Sequence, residues 1–144
     1  MSKRSPARSS SRLRQRDERG SVSIQLVILL PALFAVLFVG MQAALYYHAR
    51  TVAIAAAQEG ARAAGAEHGR EADGVDAAND FIAEAGGHDV LSGSSANASR
   101  TATQATVTVS GFSLSVIPGW HVRITQSATV PVERVTAPTA AGSP

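Results

Sequence analysis

Residues 22–47 read VSIQLVILLPALFAVLFVGMQAALYY, and this stretch decides what kind of protein the chain is. No Lys, Arg, Asp or Glu occurs between Gly20 and Ala49, and from Leu26 to Met41 the run is apolar apart from Pro31 and Gly40. A helix needs roughly 20 such residues to cross a bilayer. About a dozen Leu, Ile, Val and Phe, at roughly −0.3 to −0.6 kcal/mol each, favour insertion by about 4–6 kcal/mol before penalties. Ser23 and Gln25 lie near one end, and Tyr46 and Tyr47 mark the other as an aromatic belt does. A buried core helix rarely runs this long without a charge. Residues 22–47 are therefore read as a transmembrane helix.

Charge sets the expected orientation. Residues 1–20 carry seven basic side chains (Lys3, Arg4, Arg8, Arg12, Arg14, Arg16, Arg19) against Asp17 and Glu18, a net +5, while the rest of the chain carries −3. Positive flanks stay inside, so the N-terminus is expected in the cytoplasm and residues 48–134 outside it. The leader, residues 1–20, is polar and biased in composition and is expected to be disordered. A cleaved secretory signal is the competing reading. Its apolar core is shorter, about 7–15 residues, and is followed by an extended cleavage site, whereas helical character here continues past the span. There is no cysteine, which excludes disulfides, thiolate zinc sites and cysteine nucleophiles.

Residues 49–69, ARTVAIAAAQEGARAAGAEHG, are dominated by alanine, the best helix former. Ala49, Ala53, Ala57, Ala61, Gly65 and Gly69 recur at a spacing of four and share one helix face. A row of small side chains lets another backbone approach closely, so Ala53, Ala57, Ala61 and Gly65 are a candidate packing face. A break at 69–74 precedes a second, short helix over about 75–85, where Val75, Ala78, Ile82 and Ala85 repeat at helical spacing and Gly86-Gly87 forms a stop. Residues 92–100, SGSSANASR, have the composition of a loop. The period then changes to two. Strands are expected over 102–110, 112–116 and 122–132, with Gly111 turning or bulging between the first two. Pro118-Gly119 suits the centre of a type II turn, and Pro131 points to an edge. The fold class is α+β: a long N-terminal transmembrane helix running into an Ala-rich helix, a short helix, and a small antiparallel sheet of about three strands. Residues 135–144 are expected to be a disordered tail.

The chain shows little that could carry catalysis. His48, His68, His88 and His121 lack metal-ligand spacing, and Glu67, Glu71, Asp73 and Asp76 lack the spacing of a calcium loop. They are read as a solvated turn. No nucleophile elbow, phosphate loop or dinucleotide fingerprint occurs. The protein is expected to be no enzyme and to use no metal, cofactor, nucleic acid or small-molecule substrate.

One arrangement is more specific. A basic leader ends in Glu18-Arg19-Gly20, the apolar helix begins at Ser21-Val22-Ser23-Ile24-Gln25-Leu26, a proline follows within the span, and Gln58-Glu59-Gly60-Ala61-Arg62-Ala63-Ala64 lies in the Ala-rich helix. This resembles the TadE-like family of the tight-adherence (Flp-type) pilus machinery, over residues 19–65 and more loosely over 105–133, where Ala128-Thr129-Val130-Pro131-Val132-Glu133 is similar to the family's C-terminal end. The resemblance implies a membrane-anchored, pseudopilin-like, non-catalytic component of pilus assembly. Its implied partners are the lipid bilayer, other pilus-assembly or pilin-like subunits, and a prepilin-type peptidase cutting between Gly20 and Ser21. The family pattern has Glu where this chain has Gln25. In pilin-like systems that carboxylate pairs with a neighbour's α-amino group, so Gln25 favours a membrane-resident component over a polymerising one. A bitopic envelope protein binding another envelope partner, unrelated to pili, is the alternative.

Overall fold

The computed structural model describes residues 11–134, with side chains from Ile24 onward. The expectations for residues 1–10 and for the tail at 135–144 lie outside the described residues. The chain divides into two compact units, Met1–Gly40 and Met41–Pro144.

In the first unit the backbone is already helical at Ser11, where helix α1 (Ser11–Gly65) begins. This corrects the disordered leader over residues 11–20 and a helix start near Val22. Leu13, Arg14, Gln15, Arg16, Glu18 and Arg19 are good or fair helix formers, and extending an existing helix avoids a new nucleation step. The helix continues through Pro31. Every side chain from Ile24 to Gly40 is exposed, Ile28 at 69% and Val36 at 72% among them. A helix apolar on all sides needs an apolar surround, and among the described residues this one is long and apolar enough to cross a membrane.

The second unit holds the remainder of α1, helix α2 (Glu71–Glu84), a 3₁₀ turn at Gly87–Asp89, and strands β1 (Leu91–Arg100), β2 (Gln104–Ser113) and β3 (Arg123–Pro131). The strands form one antiparallel sheet in the order β1-β2-β3. The class is α+β, as the sequence implies, but the strands are not the expected three. Residues 92–100 are strand and not loop, and the expected strands at 102–110 and 112–116 are one, β2. Gly111 lies within β2 opposite an irregularity between Ser92 and Ser95. A Cβ on Gly111 would stand 2.7 Å from Leu91 Cγ, so glycine leaves the space that Leu91 fills.

Cross-strand register sorts the sheet into two faces. Ala96, Ala98, Ala105, Val107, Val109, Ile124, Ala128 and Val130 face the helices. Ser95, Ser110, Thr106, Thr129, Thr108 and Ser127 lie on the other face and pair by hydroxyl hydrogen bonds of 2.7–2.9 Å. The Arg123 guanidinium lies 5.2 Å from the centre of the Phe112 ring on that face. The Val122 carbonyl and the Val132 N–H bond toward β2, so by alternation the odd-numbered residues of β3 turn their backbone groups to the free edge. Pro131 is one of them, and its missing N–H costs no ladder bond.

The acidic cluster proves to be mostly helix. Glu71, Asp73 and Asp76 lie in the first turns of α2, where carboxylates suit the helix N-terminus. Asp73 Oδ2 accepts the Arg70 backbone N–H at 2.8 Å. The Arg70 side-chain hydrogen bond, then that backbone bond, hold the Asp73 carboxyl below the usual carboxylate range. Gly86, at φ 117°, ends the helical region as expected. Ile117 O accepts the Trp120 N–H at 3.2 Å, and Gly119 at φ 80° completes the type II turn around Pro118-Gly119.

Candidate functional site

Two features of the helical half carry the functional reading: the face that α1 turns to the sheet, and the point where its apolar run ends. The row Ala49, Ala53, Ala57, Ala61 and Gly65 is buried, each alanine at 0–1% exposure. A second row, Val52, Ala56, Gly60 and Ala64, is buried beside it. Together they form one stripe, and Ala, Gly and Val are small enough for α2 and the sheet to approach closely. A Cβ on Gly60 would stand 2.5 Å from Gly74 O and 3.0 Å from Val107 Cγ1, and one on Gly65 would stand 2.6 Å from Val130 Cγ2. The candidate packing face is thus occupied within the chain, by its own α2 and sheet.

The Gln58–Ala64 segment divides accordingly. Gly60, Ala61 and Ala64 point into the core, whereas Gln58, Glu59 and Arg62 are exposed. Arg62 Nη1 donates to Glu59 Oε2 at 3.0 Å on the solvent side. Ala57→Leu or Ala61→Leu should each destabilise the domain by about 1–3 kcal/mol through overfilling, and Arg62→Leu by less than about 0.5 kcal/mol. Thermal unfolding in detergent checks this, and equal effects at all three positions would reduce the row to compositional bias.

Gln42 was not anticipated from sequence. It follows the apolar run directly, is only 6% exposed, and holds the chain that leaves β2. Its Nε2 donates to Leu114 O at 3.3 Å, and its Oε1 accepts the Val116 N–H at 3.0 Å. Ser115 Oγ lies 3.0 Å from Gln42 Oε1 and 2.8 Å from Ile117 O, so its one proton serves either. A polar residue one step beyond an apolar run was the available signal. Gln42→Leu should leave the Val116 N–H and Leu114 O without partners at a cost of about 2 kcal/mol. Hydrogen exchange at Val116 should then rise about 30-fold. An unchanged rate would mean that something else holds this segment.

The remaining sequence-derived positions are not brought together with these. Gly20 and Ser21 fall within the backbone of α1, and their surroundings lie outside the described residues. Gln25 is exposed among Ile24, Leu26 and Val27. An open hollow beside Arg100 is lined by Glu67, Thr101, Glu133 and Arg134, and the Arg100 guanidinium there is engaged with the backbone carbonyls of Ala64, Ala66 and Glu67.

Comparison with known proteins adds one match. The model of a family described as TadE-like protein matches residues 20–62, from Gly20 through the apolar segment and most of the buried stripe to the exposed Arg62. The match covers neither α2 nor the sheet. No curated protein and no solved structure matches the chain.

Proposed function

We propose, from the TadE-like match over residues 20–62, that this chain is a membrane-anchored, pseudopilin-like and non-catalytic component of tight-adherence pilus assembly. Its N-terminus lies in the cytoplasm and its α+β domain outside the membrane. The observation that carries the reading is that the match falls on a single helix with two distinct uses. Its first part is apolar and exposed on every described side from Ile24 to Gly40, and its second part is the small-residue stripe of the domain core. The stripe fixes the domain to its anchor and leaves Gln58, Glu59 and Arg62 on the free side as the polar positions available to other assembly subunits. Gln25 cannot neutralise a neighbour's terminal amine, which favours a component resident in the membrane over a fibre subunit.

Processing between Gly20 and Ser21 is part of the proposal. The basic leader keeps this bond at the cytoplasmic face. Cutting it requires α1 to open locally, and glycine, about 1 kcal/mol poorer than alanine in a helix, marks the easiest place. Deletion of the chain from its host should abolish tight-adherence pili. A periplasmic reporter fused after Ser143 should be active, and mass spectrometry should find a form beginning at Ser21. Normal pili in the deletion strain would overturn the pilus role and leave a bitopic envelope protein with a different partner. A mature form retaining Arg14 to Gly20 in cells with an active prepilin peptidase would remove the processing step.

A further inference from the structure

The chain between β2 and β3 reverses the polarity expected of an exposed segment. Along β2 the residues facing away from the helices begin as Thr106, Thr108 and Ser110, an ordinary water-facing row. Phe112 follows on that side within β2, and past the strand's end at Ser113 the residues Leu114, Val116, Pro118 and Trp120 are exposed, while Ser113 is buried and Ser115 and Ile117 are half-buried. Leu114, Val116 and Trp120 are 38%, 39% and 51% exposed, and Ser113 is 1% exposed. A segment designed for water would have the opposite arrangement. The change from hydroxyl to apolar occurs where the chain is held by Gln42 through Leu114, Ser115 and Val116. Gln42 is the residue immediately after the apolar run of α1 and lies about one turn before Tyr46 and Tyr47, the aromatic end of the 22–47 span.

We propose that residues 114–120 form a second membrane contact, with Trp120, Leu114 and Val116 lying in the interfacial layer of the leaflet from which α1 emerges. Tryptophan is favoured in that layer because its ring is apolar and its N–H polar. Arg123 lies over Phe112 with its guanidinium exposed, so it can meet lipid phosphate while its stem covers apolar surface. A second contact restricts how the domain moves at the membrane surface, which an anchor of one helix alone does not do. The inference rests on the membrane-anchored reading and is independent of the pilus role.

Trp120 is the only tryptophan in the chain, so its fluorescence reports on this segment without substitution. The full-length protein, reconstituted into phosphatidylcholine–phosphatidylglycerol vesicles, is first floated to establish anchoring. Trp120 emission should then be blue-shifted and quenched most by lipids brominated near the carbonyl end of the acyl chain. Quenching by aqueous iodide should be at least about threefold weaker than for free tryptophan amide, as for an interfacial ring. Floating protein whose Trp120 emits as in water, with full iodide quenching and no response to brominated lipid, would overturn the proposal and leave the anchor standing. Protection from iodide without quenching by brominated lipid would also overturn it, because Trp120 would then be covered by protein. Protein that fails to float would remove the anchor and this contact together.

Discussion

Gly60→Val should lower the melting temperature of the α+β domain by about 20 °C, corresponding to about 4 kcal/mol. Gly60 of α1 and Gly74 of α2 face each other in close contact. A Cβ on Gly60 would stand 2.5 Å from Gly74 O, and one on Gly74 would stand 2.8 Å from Gly60 O. The hydrogen occupying each Cβ position thus points at the other residue's carbonyl, a reciprocal close contact that only two glycines allow. The atom in the way is backbone, so no rotamer change relieves the clash, and Val107 Cγ1 at 3.0 Å and Ala78 Cβ at 3.1 Å close the other sides. The helices must separate, which opens the core between Ala61, Ala64, Ala78 and Val107. Gly60→Ala should show the same effect at about 2–3 kcal/mol.

Gly40→Ala supplies the contrast. A Cβ there meets nothing within 4 Å, so it should leave the domain unchanged and favour the helix by about 0.5–1 kcal/mol. Circular dichroism of the full-length protein in a mild detergent, followed through heating, reads all three variants. A Gly60→Val melting temperature within about 3 °C of the parent would mean that the two helices do not meet at these glycines.

The parts legible in the sequence are those with a strong period or a special residue. The long apolar helix announces itself through missing charge, α2 through Val75, Ala78 and Ile82, and the turn at Pro118-Gly119 through the φ that only glycine accepts readily. β1 is illegible for a physical reason. Its inward positions are Ala96 and Ala98, small because α2 packs near them, and its outward positions are Ser95, Asn97 and Ser99. Alternation between alanine and serine gives almost no contrast in hydrophobicity, so composition reads as loop. The helix stripe was half visible. A spacing of four picks out Ala53, Ala57, Ala61 and Gly65, but a face packed on a sheet is wider than one row and also takes in Val52, Ala56, Gly60 and Ala64. Its cover comes from Gly74 and Ala78 of α2, Val107 of β2 and Val130 of β3, residues far apart in sequence whose meeting no spacing shows. Gln42 and Arg100 depend on contacts more than thirty residues away in sequence, which no local pattern records.

Arg100→Ala should destabilise the domain by about 3 kcal/mol, with a fall in melting temperature of about 15 °C. The last carbonyls of any α-helix lack partners within it, and those of α1 end inside the fold, against the sheet. Ala66 N–H returns to Arg62 O at 3.0 Å, and Glu133 N–H reaches Gly65 O at 2.9 Å. Arg100 takes the Ala64 carbonyl, to which its Nη1 donates, and two carbonyls just past the helix: Nη1 donates to Ala66 O at 2.9 Å, beside the Gly69 N–H at 2.9 Å, and Nη2 reaches Glu67 O at 3.5 Å. Its own backbone N–H donates to Glu71 Oε1 at 2.8 Å, which ties β1 to the head of α2. The guanidinium is therefore both the hydrogen-bonding cap of α1 and a positive charge at the negative end of its dipole. Arg100→Lys separates the two. It keeps the charge, worth about 0.3–1 kcal/mol at a helix end, but a single ammonium cannot reproduce the planar fork that spans several carbonyls. The lysine variant should accordingly fall between alanine and the parent, losing about 1–2 kcal/mol. Added salt should narrow the gap between lysine and alanine, because salt screens the charge, and should leave most of the gap between arginine and lysine. Melting curves at low and high salt decide it. If Arg100→Lys matches the parent, charge alone closes the helix. If Arg100→Ala loses less than about 1 kcal/mol, water satisfies these carbonyls and Arg100 is not the cap.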